Sequence, residues 1–350
     1  MTMNIYIRSA ACIAPTTTLG ARDVPPTAKP SGDTLHADAS GHAPLAKPAG
    51  NRLACLEPDY KSFIDAKALR RMSRIIRMGV ATAKACLRQA DGPGAATATA
   101  SAAAATTAGK PQGPAECLPD AIVTGTGYGC LEDTGLFLTS MIQRKEEALQ
   151  PATFIQSTHN TVGAQIALIL QCTGYNNTFV HRGFSFENAL LDAILLIQEG
   201  EAATVLTGGV DELTDISFEI LSRFGLYRHT PAGEGTAFFL LAGQPTGEDY
   251  AKLEGMATFY KPEDVGLEVQ RFLQEQGIDP ASIDLVIGDG ILPGIPTQPY
   301  KTQCGEYPTS TAYAFWLAAT LIKTGVHKRI LVYNHYLGIH HAAFLLAAAS

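Results

Sequence analysis

The sequence predicts an α/β protein made of two similar halves whose helices pack together in the middle. Two observations carry this. The stretch 179–211 reads as a short strand, a glycine turn, a nearly all-apolar segment, and a second apolar run closed by Gly208-Gly209. Its middle carries Leu190, Leu191, Ala193, Ile194, Leu195, Leu196 and Ile197, apolar in every direction. A helix apolar all round is buried, and about ten residues are too few to span a bilayer. The second observation is a repeat. The helix at 189–198, ATVLTGG and GTAFFLLAG match a helix at 312–323, RILVYNHYLG and HAAFLLAAA. A strand ending in glycine precedes each set, AIVTGTG in one and DLVIGDG in the other.

Taken in order, 4–7 reads as a first strand. Residues 17–58 are rich in Pro, Ala, Gly and Thr without periodicity and read as a surface loop. One helix is expected over 66–90, with Leu69, Met72, Ile75, Ile76, Gly79, Val80 and Ala83 on one stripe and basic residues opposite. The Ala/Thr/Gly/Pro tract 91–116 can bury little surface and reads as a flexible insertion. A strand from 120, an amphipathic helix at 131–143, a loop at 151–160 and a helix at 162–170 follow. A strand at 178–181 then leads into the junction at 182–185. After the central stretch come a strand at 235–241, a helix at 262–277 and a strand at 285–288. A Pro/Gly-rich loop precedes an apolar helix at 309–324 and strands at 330–333 and 342–346. The chain is thus one domain of two halves, about 1–245 and 246–350.

Composition narrows the function classes. A formal net charge of -7 lacks the basic footprint of a nucleic-acid binder. No run reaches the roughly 18 apolar residues of a membrane helix, and the N-terminus lacks a signal peptide's basic-then-apolar pattern. Seven scattered cysteines without a CxxC pair suggest reduced thiols and a cytoplasmic protein. No cofactor or metal is expected.

In such sheets, chemistry gathers where strand C-termini meet helix N-termini, because free N–H groups there favour negative charge. The chain also carries RRMSRIIRMGVATAKA, GTGYGCLEDT, STHN with GAQIA, TGGVDE and GEGTAFFLLA. With them the chain resembles the β-ketoacyl synthases of the thiolase fold, outside its two low-complexity tracts. The resemblance implies a duplicated five-layered α-β-α-β-α architecture. It also implies a cysteine nucleophile at the start of the buried helix, and two histidines on later loops that assist decarboxylation and stabilise enolate and oxyanion.

Carried over residue by residue, those groups are missing. Counts from Asn160 forward and from Gly208 backward both place the nucleophile position on Gly183. VIGDGI puts Asp289 at the first histidine position, and QCGEYP puts Glu306 at the second. The family's glycine-rich terminal segment corresponds to NHYLGIHH, largely without glycine. Glycine cannot attack a thioester, and an ionised carboxylate repels a developing oxyanion.

The resemblance points to the chain-length-factor branch, which lacks the cysteine and pairs with an active ketosynthase to shape the acyl tunnel. It therefore implies a silent subunit of a heterodimer serving bacterial polyketide, polyene or fatty-acid-like biosynthesis, with aryl polyene or resorcinol-type pigments as a product class. An acyl carrier protein would be met through the complex. The same alignment puts Tyr128, Leu131, Glu132 and Leu136 along the tunnel. It puts Gln156, Ser157, Thr158, His159, Asn160 and Phe179 at the dimer interface. Alternatives stay open: an acyltransferase or hydrolase using Ser185 or Cys304, or a homodimeric acyl-binding protein. Against the first, a serine at a helix start is more often an N-cap, and nothing places Cys304 at a helix N-terminus. For Asp289 and Glu306, ion-paired or solvated loop carboxylates compete with an acid/base pair. For His335, His340 and His341, packing competes with metal binding.

Overall fold

A computed structural model describes residues 3–19, 51–90 and 118–349. Strand β1 (Ile5–Ala14) turns into the short β2 (Thr17–Thr18). Helices α1 (Ala66–Leu69) and α2 (Arg74–Ala90) follow. Then come β3 (Ala121–Gly125), α3 (Leu131–Gln143), α4 (Pro151–Gln156), α5 (Thr161–Leu170) and β4 (Tyr175–Phe179). Helix α6 (Ser185–Gln198), β5 (Thr204–Asp211), α7 (Asp215–Arg223) and β6 (Gly235–Ala242) complete this series. The remainder is β7 (Ala251–Tyr260), α8 (Val265–Glu275), β8 (Leu285–Ile287), β9 (Thr297–Gln298), α9 (Lys301–Cys304), α10 (Ser310–Lys323), β10 (Arg329–Tyr336) and β11 (His340–Ala347).

Among the described residues, eleven strands form one continuous hydrogen-bonded sheet. Its path runs β4-β3-β5-β6-β1, then β7-β11-β10-β8-β9, with β2 attached to β1. Each series has the same internal order. A central strand is flanked by two parallel neighbours, and two antiparallel strands follow. The two series join where Ile5–Ile7 of β1 pairs with 251–253 of β7.

Successive side chains of a strand point to opposite faces, which sorts the core into layers. On β6, Phe239 and Leu241 join α6 and α10 in the central core, while Phe238 and Leu240 join α2 and α5 outside. On β10, Ile330 and Val332 face the centre, and Leu331 and Tyr333 pack with α8 on the far side. The result is five layers, α-β-α-β-α. Helix α10 is buried from Ser310 to Ile322, as an all-apolar central helix must be.

Several elements differ from the sequence reading. The helix expected over 66–90 is two, broken at Arg70–Ser73. The first strand runs seven residues past Ile7, because Ser9 to Ala14 are wholly buried against β6. Residues 17–18 pair with β1, and 20–50 and 91–116 lie outside the described residues. The strand expected at 178–181 is β4, three residues earlier, and 151–156 is helical behind Pro151 at its first position. Helix α7 and strand β7 were not anticipated. Helix α6 is not buried all round: Leu191 and Leu195 are exposed, on the side where Asp192 meets Tyr175 of the edge strand β4.

Candidate functional site

The junction is built from the backbone outward. After β4 the chain passes through a 3₁₀ turn, Arg182–Phe184, into α6. Arg182 takes a left-handed conformation (φ 47°), unusual for a residue with a Cβ. Ser185 holds the turn. Its Oγ accepts from the His181 N–H at 2.9 Å and donates to the Arg182 carbonyl at 2.8 Å. Ser185 is therefore not the N-cap of α6, a position taken by Phe184 without a side-chain bond. Strand β3 passes so near that a Cβ on Gly125 would come within 2.5 Å of the Ser185 carbonyl oxygen.

Gly183 is buried under Tyr336, at the end of β10. A Cβ added to Gly183 would lie 2.5 Å from Tyr336 Cγ and 2.6 Å from Cδ1, inside any real carbon–carbon contact. The Tyr336 hydroxyl meets that of Tyr128 at 3.1 Å. Burial pushes the Tyr336 phenol well up, and neighbouring Tyr128 adds to the shift. Tyr227 is buried alongside, its phenol raised chiefly by burial and then by Tyr128 and Glu306. Three phenols thus crowd the space where the resemblance expects a thiol and an acyl chain.

Asp289 and Glu306 both line a cavity of ≈170 Å³ with His229, Lys301, Tyr333 and His335. It opens beside the C-termini of β8 and β10, neighbouring parallel strands. Each carboxylate has a side-chain partner, an imidazole for Asp289 and an ammonium for Glu306. His335 Nε2 lies 2.9 Å from Asp289 Oδ2, and this contact holds the Asp289 carboxyl below its usual range. Lys301 Nζ donates to Glu306 Oε2 at 2.7 Å and to the His335 carbonyl at 2.5 Å. Behind this cavity the Tyr300 hydroxyl donates to Asn334 Oδ1 at 2.6 Å, and Asn334 Nδ2 donates to Thr311 Oγ1 at 2.5 Å. Glu187, on the first turn of α6, is fully buried beside that pair. Burial raises its pKa to about 7, with Thr311, Asn334 and the Lys301 charge pulling back.

The remaining sequence candidates are spread more widely. Leu131 is half-buried, Glu132 exposed and Leu136 exposed; they lead from Tyr128 onto α3, whose only buried side chain is Asp133. Gln156 donates to the Arg71 carbonyl, and Ser157, Thr158, His159 and Asn160 form the turn between α4 and α5. Phe179 lies half-buried on β4, whose outer edge has no strand partner among the described residues. Cys304 is buried, its thiol pushed far up by burial and donating to the Gly305 carbonyl. Among the described residues no three or more His, Cys, Asp or Glu side chains converge to hold a metal ion, His335, His340 and His341 included. The sequence reading missed Tyr336 and Lys301, and weighed His335 only for packing or metal binding, not as the partner of Asp289. The signal for Tyr336 was available: NHYLGIHH replaces a glycine-rich segment, so side chains had to enter space that glycine leaves free.

No protein-family model matches the sequence, and no curated protein matches it. Solved structures do. A type II polyketide ketosynthase, solved with its acyl carrier protein and bound to a hexaketide, aligns over 99% of this chain and 100% of its own, with a TM-score of 0.71 and 14% identity. The chain has the thiolase-like fold of the ketosynthases. The ishigamide ketosynthase/chain length factor aligns at TM-score 0.68 and 15% identity, over 99% of this chain and 100% of its own. The Xenorhabdus doucetiae ketosynthase in complex with its chain length factor aligns at 0.65 and 15%, over 99% and 98%. Within that fold, the turn between β4 and α6 meets the end of β10 where Tyr336 covers Gly183. No helix among the described residues is long and apolar enough to cross a membrane.

Proposed function

We propose that this chain is a catalytically silent ketosynthase-like subunit, a chain length factor that pairs with an active ketosynthase and meets acyl carrier protein through that complex. The observation that carries this is Gly183 under Tyr336: the nucleophile position has neither a reactive atom nor room for one. Asp289, its carboxyl held low beside His335, and Glu306, paired with Lys301, support it, since an ionised carboxylate offers no neutral donor to an oxyanion. A partner is supported by the surface. Leu168 on α5, Tyr175 and Val180 at the β4 edge, and Leu191 and Leu195 on α6 are exposed, as are Phe154 and Ile155 on α4. So much apolar surface around a strand edge that is unpaired among the described residues suits a subunit interface. The pathway we assign is bacterial polyketide or polyene synthesis, with aryl polyenes as the product class. Tyr128 and the face of α3 behind it would contribute to the tunnel wall.

No observation favours an acyltransferase or hydrolase. The Ser185 hydroxyl already bonds twice to backbone, and the Cys304 thiol is buried and held neutral. The test is to incubate the isolated chain with radiolabelled acyl carrier protein and examine it on a denaturing gel. No stable label is expected, while co-purification from the native operon should bring down an intact ketosynthase. Label that Ser185→Ala or Cys304→Ala abolishes would overturn the reading.

A further inference from the structure

The loss of the nucleophile explains why the chain would not react, but it does not explain a tyrosine in the vacated space. A glycine at the head of a buried helix leaves a void unless something fills it, and an apolar void costs stability in proportion to its volume. Tyr336 fills it from the other half of the fold. Its side chain is 2% exposed, its ring edge lies against the Gly183 backbone, and its hydroxyl meets Tyr128 across the site. Small at 183 and large at 336 are one arrangement. Either residue presupposes the other.

We propose that Tyr336 is a built-in plug, which excludes acyl and aryl groups from this subunit by volume, independently of the missing thiol. The inference rests on the silent-subunit reading and adds a consequence to it. An acyl chain held by the complex runs through the partner's site and along the interface past Tyr128, not into the pocket above Gly183. The plug is held by packing and by one phenol–phenol hydrogen bond, so deleting the ring exposes a cryptic site. That site takes a ligand of the size and chemistry of the ring removed, a phenol or a short acyl group.

Two measurements on the full chain test this without the partner or any activity. The first compares Gly183→Cys with the double variant Gly183→Cys/Tyr336→Gly. Glycine is needed at 336, because the tyrosine Cβ is itself among the overlapping atoms. The single variant should melt well below wild type and leave its introduced thiol unreactive. The double variant should be the more stable of the two. It should also be carbamidomethylated at position 183 at least tenfold faster by iodoacetamide, scored by peptide mapping because other cysteines are present. The second measurement adds 4-methylphenol, the tyrosine side chain as a free molecule, to Tyr336→Gly. Millimolar amounts should raise its melting temperature and leave wild type unmoved. A double variant neither more stable nor faster-labelled than Gly183→Cys overturns the plug, whether or not either folds well. Because acyl transfer and co-purification are not read here, this failure would be distinct from failure of the silent-subunit reading.

Discussion

Asp211, the last residue of β5, and Thr309, just before α10, are joined by two hydrogen bonds: Oδ2 accepts from the Thr309 N–H at 3.0 Å and from its hydroxyl at 2.7 Å. The other carboxylate oxygen accepts from Thr126 Oγ1 at 3.1 Å and the Gly127 N–H at 2.8 Å. One buried side chain thus fixes the loop carrying Tyr128 to the start of the other half's central helix. Burial raises its pKa, and these donors pull it back.

Asp211→Ala should therefore cost about 3 kcal/mol or more, since it strands four buried donors at once. Urea denaturation measures this, and Asp211→Asn, which keeps the shape, should cost less. An alanine variant within about 0.5 kcal/mol of wild type would mean that the two halves are joined chiefly elsewhere.

Glu187 gives a pH dependence with a definite sign. Its carboxyl has a folded-state pKa of about 7 against an ordinary 4.5, so the folded state binds the proton more tightly. Its contribution is present in full below pH 4.5 and is lost as pH rises through 7. At 1.36 kcal/mol per unit, the loss is about 3 kcal/mol at most. Glu212, also raised to about 7 by burial, acts in the same direction, whereas the lowered His340 and His341 act oppositely. The informative quantity is thus the difference between wild type and Glu187→Gln. That difference should move in favour of the variant between pH 5 and pH 8, by chemical denaturation at each pH. A constant offset would show that Glu187 has an ordinary pKa.

The proposed partner surface makes a third prediction. Leu191 is 42% exposed in the single chain, so a charge there should not disturb the fold. If the chain pairs with a ketosynthase as proposed, Leu191→Glu should keep the melting temperature within a few degrees and yet abolish that association on gel filtration. Phe179→Asp should do the same at greater cost to stability, because Phe179 packs against the central core. Wild-type protein that remains a monodisperse monomer beside its ketosynthase would contradict both.

Much of the fold was legible because burial and periodicity agree. The all-apolar runs became α6 and α10, and the repeated glycine-ended strands became β3 and β8. Helix α7 was missed although Thr214 and Ser217 form a reciprocal cap and Ile216, Ile220 and Phe224 recur every four residues; that stripe is exposed, not core. Strand β7 was missed because its buried positions include the small Ala251 and Gly255, which carry little hydropathy signal. At the site, counting along the sequence could nominate Gly183, Asp289 and Glu306. It could not nominate what covers or contacts them, since Tyr336, His335 and Lys301 reach them through contacts across strands and loops.

Tyr128 bears the last prediction. On the tunnel proposal its ring is a stop for the growing chain at the interface. Its hydroxyl is not free to move with a ligand, because the Tyr336 hydroxyl holds it at 3.1 Å. Ring and hydroxyl can therefore be separated. Tyr128→Phe keeps the wall and loses one hydrogen bond, so it should cost about 1 kcal/mol and leave product length unchanged. Tyr128→Ala removes the wall. With the partner ketosynthase it should lengthen the products by roughly two or three carbons' worth of space, each buried methylene contributing about 0.8 kcal/mol. Tyr128→Trp should shorten them. If mass spectrometry of the products finds one length distribution for all three variants while their stabilities fall, Tyr128 is only the outer support of the Tyr336 ring. The chain's end would then be set by residues of α3 or by the partner alone.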